Sequence, residues 1–336
     1  MTGGTEMRVG GACAALLLVA AVVLTSLQPL MGQEGKATKL GDITIRDPFI
    51  LADAPSKTYY LYRSGGGGVE AYTSTDLESW KGPLQVFKQP DGFWGSQACW
   101  APEVFRYKEK YYLLATFSSK DKVKSMTPGW QPADQFPLVL RGTQILVADS
   151  PKGPFKPFQN RPHTPQDWMA LDGTLWVEDG TPWMVFCHEW VQVQDGTVEA
   201  VRLKDDLSAA DGSPTTLFKA SDAPWRYGQD GRDPKSRSWV TDGPSLYKTK
   251  SGKLLMIWSS FGSGGYTVGV ARSQSGKVEG PWTQIDKPLF KDDGGHGMIL
   301  RTFDDKLYLV LHQPNSGASR ARLLEVEDTG DGLRLK

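Results

Sequence analysis

From residue 43 onward, apolar and polar positions alternate in short bursts. Runs rich in Tyr, Val, Leu, Ile, Trp and Phe include Thr58–Tyr62, Tyr111–Thr116, Trp183–His188, Lys253–Ser259 and Lys306–His312. Clusters of Gly, Pro, Asp and Ser separate them. This pattern predicts β-strands joined by tight turns. No long segment carries a helical period. An all-β chain of 336 residues is a sandwich, a barrel or a propeller.

A loose internal repeat selects among these. Each unit opens on a short segment with a polar, usually acidic, residue. An apolar strand follows, then a turn and a second strand, a strand of small and polar residues, and an edge strand. The five openings read Arg46-Asp47-Pro48, Trp100-Ala101-Pro102-Glu103, Leu171-Asp172-Gly173-Thr174, Thr241-Asp242-Gly243-Pro244 and Gly295-His296-Gly297. Units end on Leu77-Glu78-Ser79-Trp80, Gly153-Pro154-Phe155 and Gly280-Pro281-Trp282. The openings lie 54 to 70 residues apart, which suits four-stranded blades with variable loops. The expected fold is a five-bladed β-propeller forming a single domain. In that fold the inner strands line one axis. Asp47, Glu103, Asp172, Asp242 and His296 would then converge at one end of it. Asp-Gly and Asp-Pro are common turn dipeptides, but four acids in register favour a functional site.

Composition narrows the partners. Lys plus Arg is 38 and Asp plus Glu is 38. With no net charge and no basic run, a nucleic-acid partner is not expected. Three cysteines cannot make a disulfide scaffold. Residues 1–32 read as a secretory signal: Arg8 precedes the apolar run Ala14–Leu24, too short to span a bilayer. Residues 33–42 read as a linker and 43–336 as the propeller. The mature protein is expected to be secreted or periplasmic and free of the membrane. It would keep Cys99 and Cys187, whose pairing the sequence leaves open, as it does the oligomeric state.

The ordered set of openings resembles glycoside hydrolase family 43, a family of inverting, five-bladed β-propeller enzymes. The resemblance covers residues 43 to about 327. It implies that Asp47 is the general base and that Asp172 is a third carboxylate, which orients the acid and tunes its pKa. His296 falls where the family has a central histidine, often near a metal ion. Asp242 stands where the family's general acid is usually a Glu followed by Gly-Pro. The shorter Asp would pull its carboxyl back by roughly 1.5 Å. Glu189, in Cys187-His188-Glu189-Trp190, is the alternative acid.

Inversion needs one ionised and one protonated carboxyl, about 6.5–9.5 Å apart. An ionised Asp172 would raise the acid's pKa by like-charge repulsion. Sugars also need flat apolar faces. Trp100 and Trp190 adjoin the motifs, and Phe261 lies close by. Glu103, Glu189, His296 and Arg301 complete the expected substrate contacts. No cofactor is required for this chemistry, although His296 could take part in a structural Ca²⁺ site on the axis. His188 and His312 read as ordinary strand residues. The expected substrate is a plant-type polysaccharide or oligosaccharide bearing α-L-arabinofuranosyl or β-D-xylosyl units. A carbohydrate-binding propeller without catalysis is the alternative. A retaining, sucrose-splitting propeller would need a Trp-x-Asn-Asp-Pro segment, which the chain lacks. The loops at 119–137 and 220–238 are expected to rim the site and set its specificity.

Overall fold

The computed structural model describes Met1, Gly3, residues 37–228 and residues 237–336. The chain divides into two units, Met1–Glu34 and Gly35–Lys336. Every strand described belongs to the second. The export signal read over residues 1–32 lies outside the described residues apart from Met1 and Gly3.

Five antiparallel sheets form the blades of a β-propeller. Blade 1 runs from its inner strand Phe49–Asp53 through Thr58–Gly65 and Gly68–Ser74 to Ser79–Lys88. Blade 2 comprises Ala98–Tyr107, Lys110–Lys122, Val139–Ala148 and Lys156–Pro157. Blade 3 comprises Ala170–Glu178, Thr181–His188, Thr197–Arg202 and Thr215–Lys219. Blade 4 comprises Asp242–Lys248, Leu254–Gly262, Gly265–Ser273 and Trp282–Gln284. Blade 5 comprises Gly295–Arg301, Leu307–Gln313, Arg320–Asp328 and Leu333–Leu335. All five apolar runs read from the sequence are second strands. The segment read as a linker is folded from Thr38 onward. Thr38–Lys39 adds a fifth strand to blade 1, with Thr38 opposite Trp80. Thr44 then bridges Arg320 of blade 5, which joins the two ends of the propeller.

The apolar faces pack between neighbouring blades. Val104, Leu113 and Phe117 of blade 2 and Val310 of blade 5 join Tyr62 and Trp80 of blade 1. Blades 3 and 4 share Val185, Phe218, Met256 and Trp258. Burying side chains of this size is worth about 2 kcal/mol each. The cores therefore hold the blades together and leave the axis to polar side chains.

The inner strands carry a repeated irregularity. In blades 2 to 5, one extra residue bulges between Trp100 and Glu103, Leu171 and Thr174, Asp242 and Ser245, and Gly295 and Met298. Ala101, Asp172, Gly243 and His296 occupy it with φ of +44°, +58°, +49° and +50°. Asp47 has φ of +50° just ahead of the blade 1 strand. A non-glycine residue held there costs on the order of 1–3 kcal/mol. Its amide is satisfied by the preceding blade. Asp172 N–H donates to Thr116 Oγ1 at 2.8 Å, His296 N–H to Ser259 Oγ at 2.8 Å and Asp47 N–H to His312 Nδ1 at 3.2 Å. Thr116, Ser259 and His312 stand at the same place, each opposite the residue before the bulge.

This register corrects the expectation of four equivalent acids. Asp47, Asp172 and His296 share one position. Asp242 stands one residue earlier and Glu103 two residues later.

Candidate active site

Bulges re-aim side chains, and the openings of blades 1, 3 and 4 turn three carboxylates toward one ring. His296 Nδ1 lies 3.3 Å from Asp47 Oδ1, 3.4 Å from Asp242 Oδ1 and 3.8 Å from Asp172 Oδ2. Gly243 makes room for that ring. A Cβ there would meet His296 Cγ at 2.7 Å, and its φ of +49° also suits glycine. The Gly of the Asp-Gly-Pro segment is thus a packing requirement of the axis.

The cluster has a definite charge pattern. Burial alone would keep His296 neutral, but the charges of Asp47 and Asp172 and the hydrogen bond to Asp242 raise its pKa well above the usual value. Asp47 is pushed up by burial and pulled down further by His296 and His312, so it ends below the usual carboxylate range. Asp172 is raised well above that range by burial and by the charge of Asp242. Asp242 is lowered: burial opposes ionisation, yet hydrogen bonds from Asp172, His296 and Tyr266 outweigh it. Tyr266 OH donates to Asp242 Oδ2, and Gly243 N–H donates to Asp172 Oδ2 at 3.2 Å. Within this coupled pair the proton is favoured on Asp172 and the charge on Asp242.

Above the cluster opens a cavity of about 730 Å³. Asp47, Asp172, Asp242, Glu189, Trp100, Trp190, Phe261, Tyr266 and Arg46 are among its lining residues. Glu189 follows the second strand of blade 3, just ahead of the one-turn helix Trp190–Val193. Burial raises its pKa above the usual value, although the neighbouring Arg141 pulls it back. Trp100 is the exposed aromatic face, at 40% relative accessibility. Trp190 lines the cavity but is largely buried against Trp130 and Phe136.

Glu103 and Arg301 do not line the cavity. Glu103 is buried, its Oε2 has no hydrogen-bond partner, and burial pushes its pKa up to about 7. Its place two residues past the bulge accounts for that burial. Arg301 ends the inner strand of blade 5, opposite Leu307 and six residues away from the axial end. There it pairs with Asp305 at 2.6 Å. Strand direction carries it away from the site. The loop at 119–137 supplies Phe136 to the wall. It also packs Trp130 and Phe136 against Trp190 and Val191, so it is part of a small core. The 220–238 loop lies in part outside the described residues. Cys99 and Cys187 are both free.

Three site residues escaped the sequence reading. His312 is fully buried beside Asp47, with Nδ1 3.3 Å from Oδ1. Its signal was its position, equivalent to Thr116 and Ser259. Tyr266 and Arg141 lie on third strands, outside the repeat openings.

The axial donor set is a poor match for Ca²⁺. Asp172, Asp242 and His296 offer ligand atoms within 4.8 Å of one another. Ca²⁺ takes six to eight oxygens, whereas this group includes a ring nitrogen already facing three carboxylates.

Comparison with known proteins decides the family. The profile of glycosyl hydrolases family 43 matches residues 42–330. The chain belongs to this family. It is a glycoside hydrolase, and its substrates are polysaccharides or oligosaccharides. It is 40% identical to a solved structure described as an endo-arabinase from Bacteroides thetaiotaomicron VPI-5482. That match has a TM-score of 0.77 and covers 88% of this chain and 98% of the other. It is 22% identical over 326 residues to the extracellular exo-α-(1→5)-L-arabinofuranosidase ArbA of Cellvibrio japonicus (strain Ueda107), covering 86% of this chain and 85% of the relative. An endo-1,4-β-xylanase structure from Bacteroides thetaiotaomicron VPI-5482 shares the fold at 23% identity and a TM-score of 0.68, covering 89% of this chain and 96% of the other. Among the described residues of this family 43 hydrolase, no helix is long and apolar enough to cross a membrane.

Proposed function

We propose that this hydrolase cleaves α-L-arabinofuranosyl linkages in arabinan-type polysaccharides outside the cell, with inversion. The 40% identity to an endo-arabinase supports the sugar. The segment read as an export signal and the extracellular relative support the location. Asp47 is the general base. His296 stands beside it as a cation, so the axis needs no metal ion, and chelation should leave activity unchanged.

Glu189 is the general acid. The observation that carries this is the state of Asp242. Tyr266 OH donates to its carboxylate and His296 Nδ1 lies 3.4 Å from its Oδ1, contacts that with Asp172 draw its pKa down and favour the charged form. Its Oδ1 shares a ring nitrogen with Asp47 Oδ1, 3.4 Å and 3.3 Å away, so the two oxygens are less than about 7 Å apart, at or below the lower limit of the ~6.5–9.5 Å that inversion needs. The shorter side chain is drawn into the axis. Glu189, on the wall, has the raised pKa a proton donor requires. Water attacks the anomeric carbon as Asp47 takes its proton. The glycosidic bond breaks, and the leaving oxygen takes the proton of Glu189. Asp242 and Asp172 then serve as hydroxyl partners, with Asp242 also a counter-charge of His296. Trp100 and Phe261 offer faces to the sugar.

Asp242 is the second reading, favoured by its family position and by the proton on Asp172 beside it. A screen of linear α-1,5-arabinan, nitrophenyl α-L-arabinofuranoside and nitrophenyl β-D-xyloside tests the substrate. NMR of the first-formed anomer tests inversion. The pH profile should have an acid limb below the usual carboxylate range, from Asp47, and an alkaline limb above the usual Glu range, from Glu189. Sugar binding without turnover on any substrate would instead support the non-catalytic propeller.

A further inference from the structure

One guanidinium touches both the exposed sugar platform and the carboxyl assigned as the acid. Arg141 lies on the third strand of blade 2. Its guanidinium carbon sits 4.3 Å from the centroid of the Trp100 ring. Its Nη1 pairs with Glu189 Oε2, and its Nε donates to Ser118 Oγ at 3.0 Å. The side chain is only 10% exposed, so water does little to screen these contacts.

The backbone also ties Arg141 and Glu189 to one another's neighbourhood. Arg141 N–H donates to Trp168 O at 3.3 Å, and Glu189 N–H donates to Met169 O at 2.8 Å. Both side chains therefore hang from one segment, the entry into blade 3. Arg141 and Met169 also form a parallel bridge. Side chains fixed this way lose little entropy when substrate arrives.

We propose that Arg141 is a positioning residue that locks the Trp100 ring and the Glu189 carboxyl into one unit, so that a sugar stacked on Trp100 is placed for proton donation by Glu189. This rests on Glu189 being the acid. As the proton leaves, the carboxylate forms beside a fixed cation, an interaction stronger in the transition state than in the ground state. The other charged group facing Glu189 is Asp242 of blade 4, which opposes ionisation. His188, next in the chain, is kept neutral by burial, which lowers its pKa to about 4, and it contacts Gln192.

The test compares Arg141→Met, Arg141→Lys and Trp100→Ala on linear arabinan, with Glu189→Gln as reference. Arg141→Met should lower kcat by about 100-fold, the loss typical of a ~1 Å misplacement. It should also raise KM and move the alkaline limb up by about one pH unit, because a nearby cation is lost. Trp100→Ala should raise KM and leave the limb in place. Arg141→Lys keeps the charge, so its limb should stay while kcat falls. It also serves as the folded variant should Arg141→Met not fold. An alkaline limb and KM both unmoved in folded Arg141→Met, with Glu189→Gln inactive, would overturn the proposal and leave the acid standing. For Arg141→Lys, wild-type kcat and KM would do the same. An active Glu189→Gln would overturn both.

Discussion

The axis and the wall of the cavity treat their carboxyl groups in opposite ways. On the axis, Asp47, Asp172 and Asp242 face one histidine, and each has at least one hydrogen-bond partner. On the wall, Glu189 has a single side-chain partner among the described residues, Arg141. A carboxylate with several donors, as Asp242 has, is drawn toward the ionised form and held still. A buried carboxyl with one counter-charge can gain and lose a proton. An acid's place in a motif therefore does not fix its role. Its partners do.

Asp47→Asn should break the axial side most severely. Loss of the base should cut kcat about 10³–10⁴-fold with KM little changed, measured by steady-state kinetics on arabinan. A loss below tenfold would remove Asp47 from the mechanism.

Gly243→Ala should come next. The added Cβ meets the His296 ring, and the residue must keep a left-handed φ. Destabilisation of about 2–3 kcal/mol is expected, read from urea unfolding, with activity falling alongside. An unchanged midpoint would mean that the axis is looser than its contacts imply.

Glu103→Gln should act most gently, and only on stability. Glu103 is the axial-side carboxyl with an unpartnered oxygen. Its pKa rises on folding from the ordinary 4.5 to about 7. The folded state then binds more protons than the unfolded one between those values, so stability falls as pH rises through that window. Above it the deficit is constant. Glu103→Gln should remove this dependence and raise Tm at pH 8 relative to wild type, with little change at pH 4. Parallel pH–Tm curves would contradict the assignment.

Much of the fold was legible because its signals are local. Five apolar second strands and five polar openings named the blades, and each opening proved to lie at the axial end. The register within each opening was not legible. A bulge shifts position by one residue, so Asp242 and Asp172 look equivalent in sequence and differ in space. Asp47, Asp172, Asp242, Glu189, Trp100 and Phe261 all reached the cavity because motif and strand end coincide there. His312, Tyr266 and Arg141 were missed because each acts across a blade boundary or on a distant strand, with partners 24 to 265 residues away. Glu103 and Arg301 were over-read, since sequence proximity to an opening does not give the direction of a side chain.

The leaving-group dependence of Glu189→Gln beside Asp242→Asn decides which carboxyl is the acid. Each variant is assayed on arabinan and on an arabinofuranoside whose dinitrophenolate leaves without protonation. Glu189→Gln should lose about 10²–10⁴-fold on arabinan and stay near wild type on the activated substrate, whereas Asp242→Asn should be impaired on both alike. The reverse pattern, with Asp242→Asn rescued by the activated substrate and Glu189→Gln not, would make Asp242 the acid and overturn the assignment of Glu189.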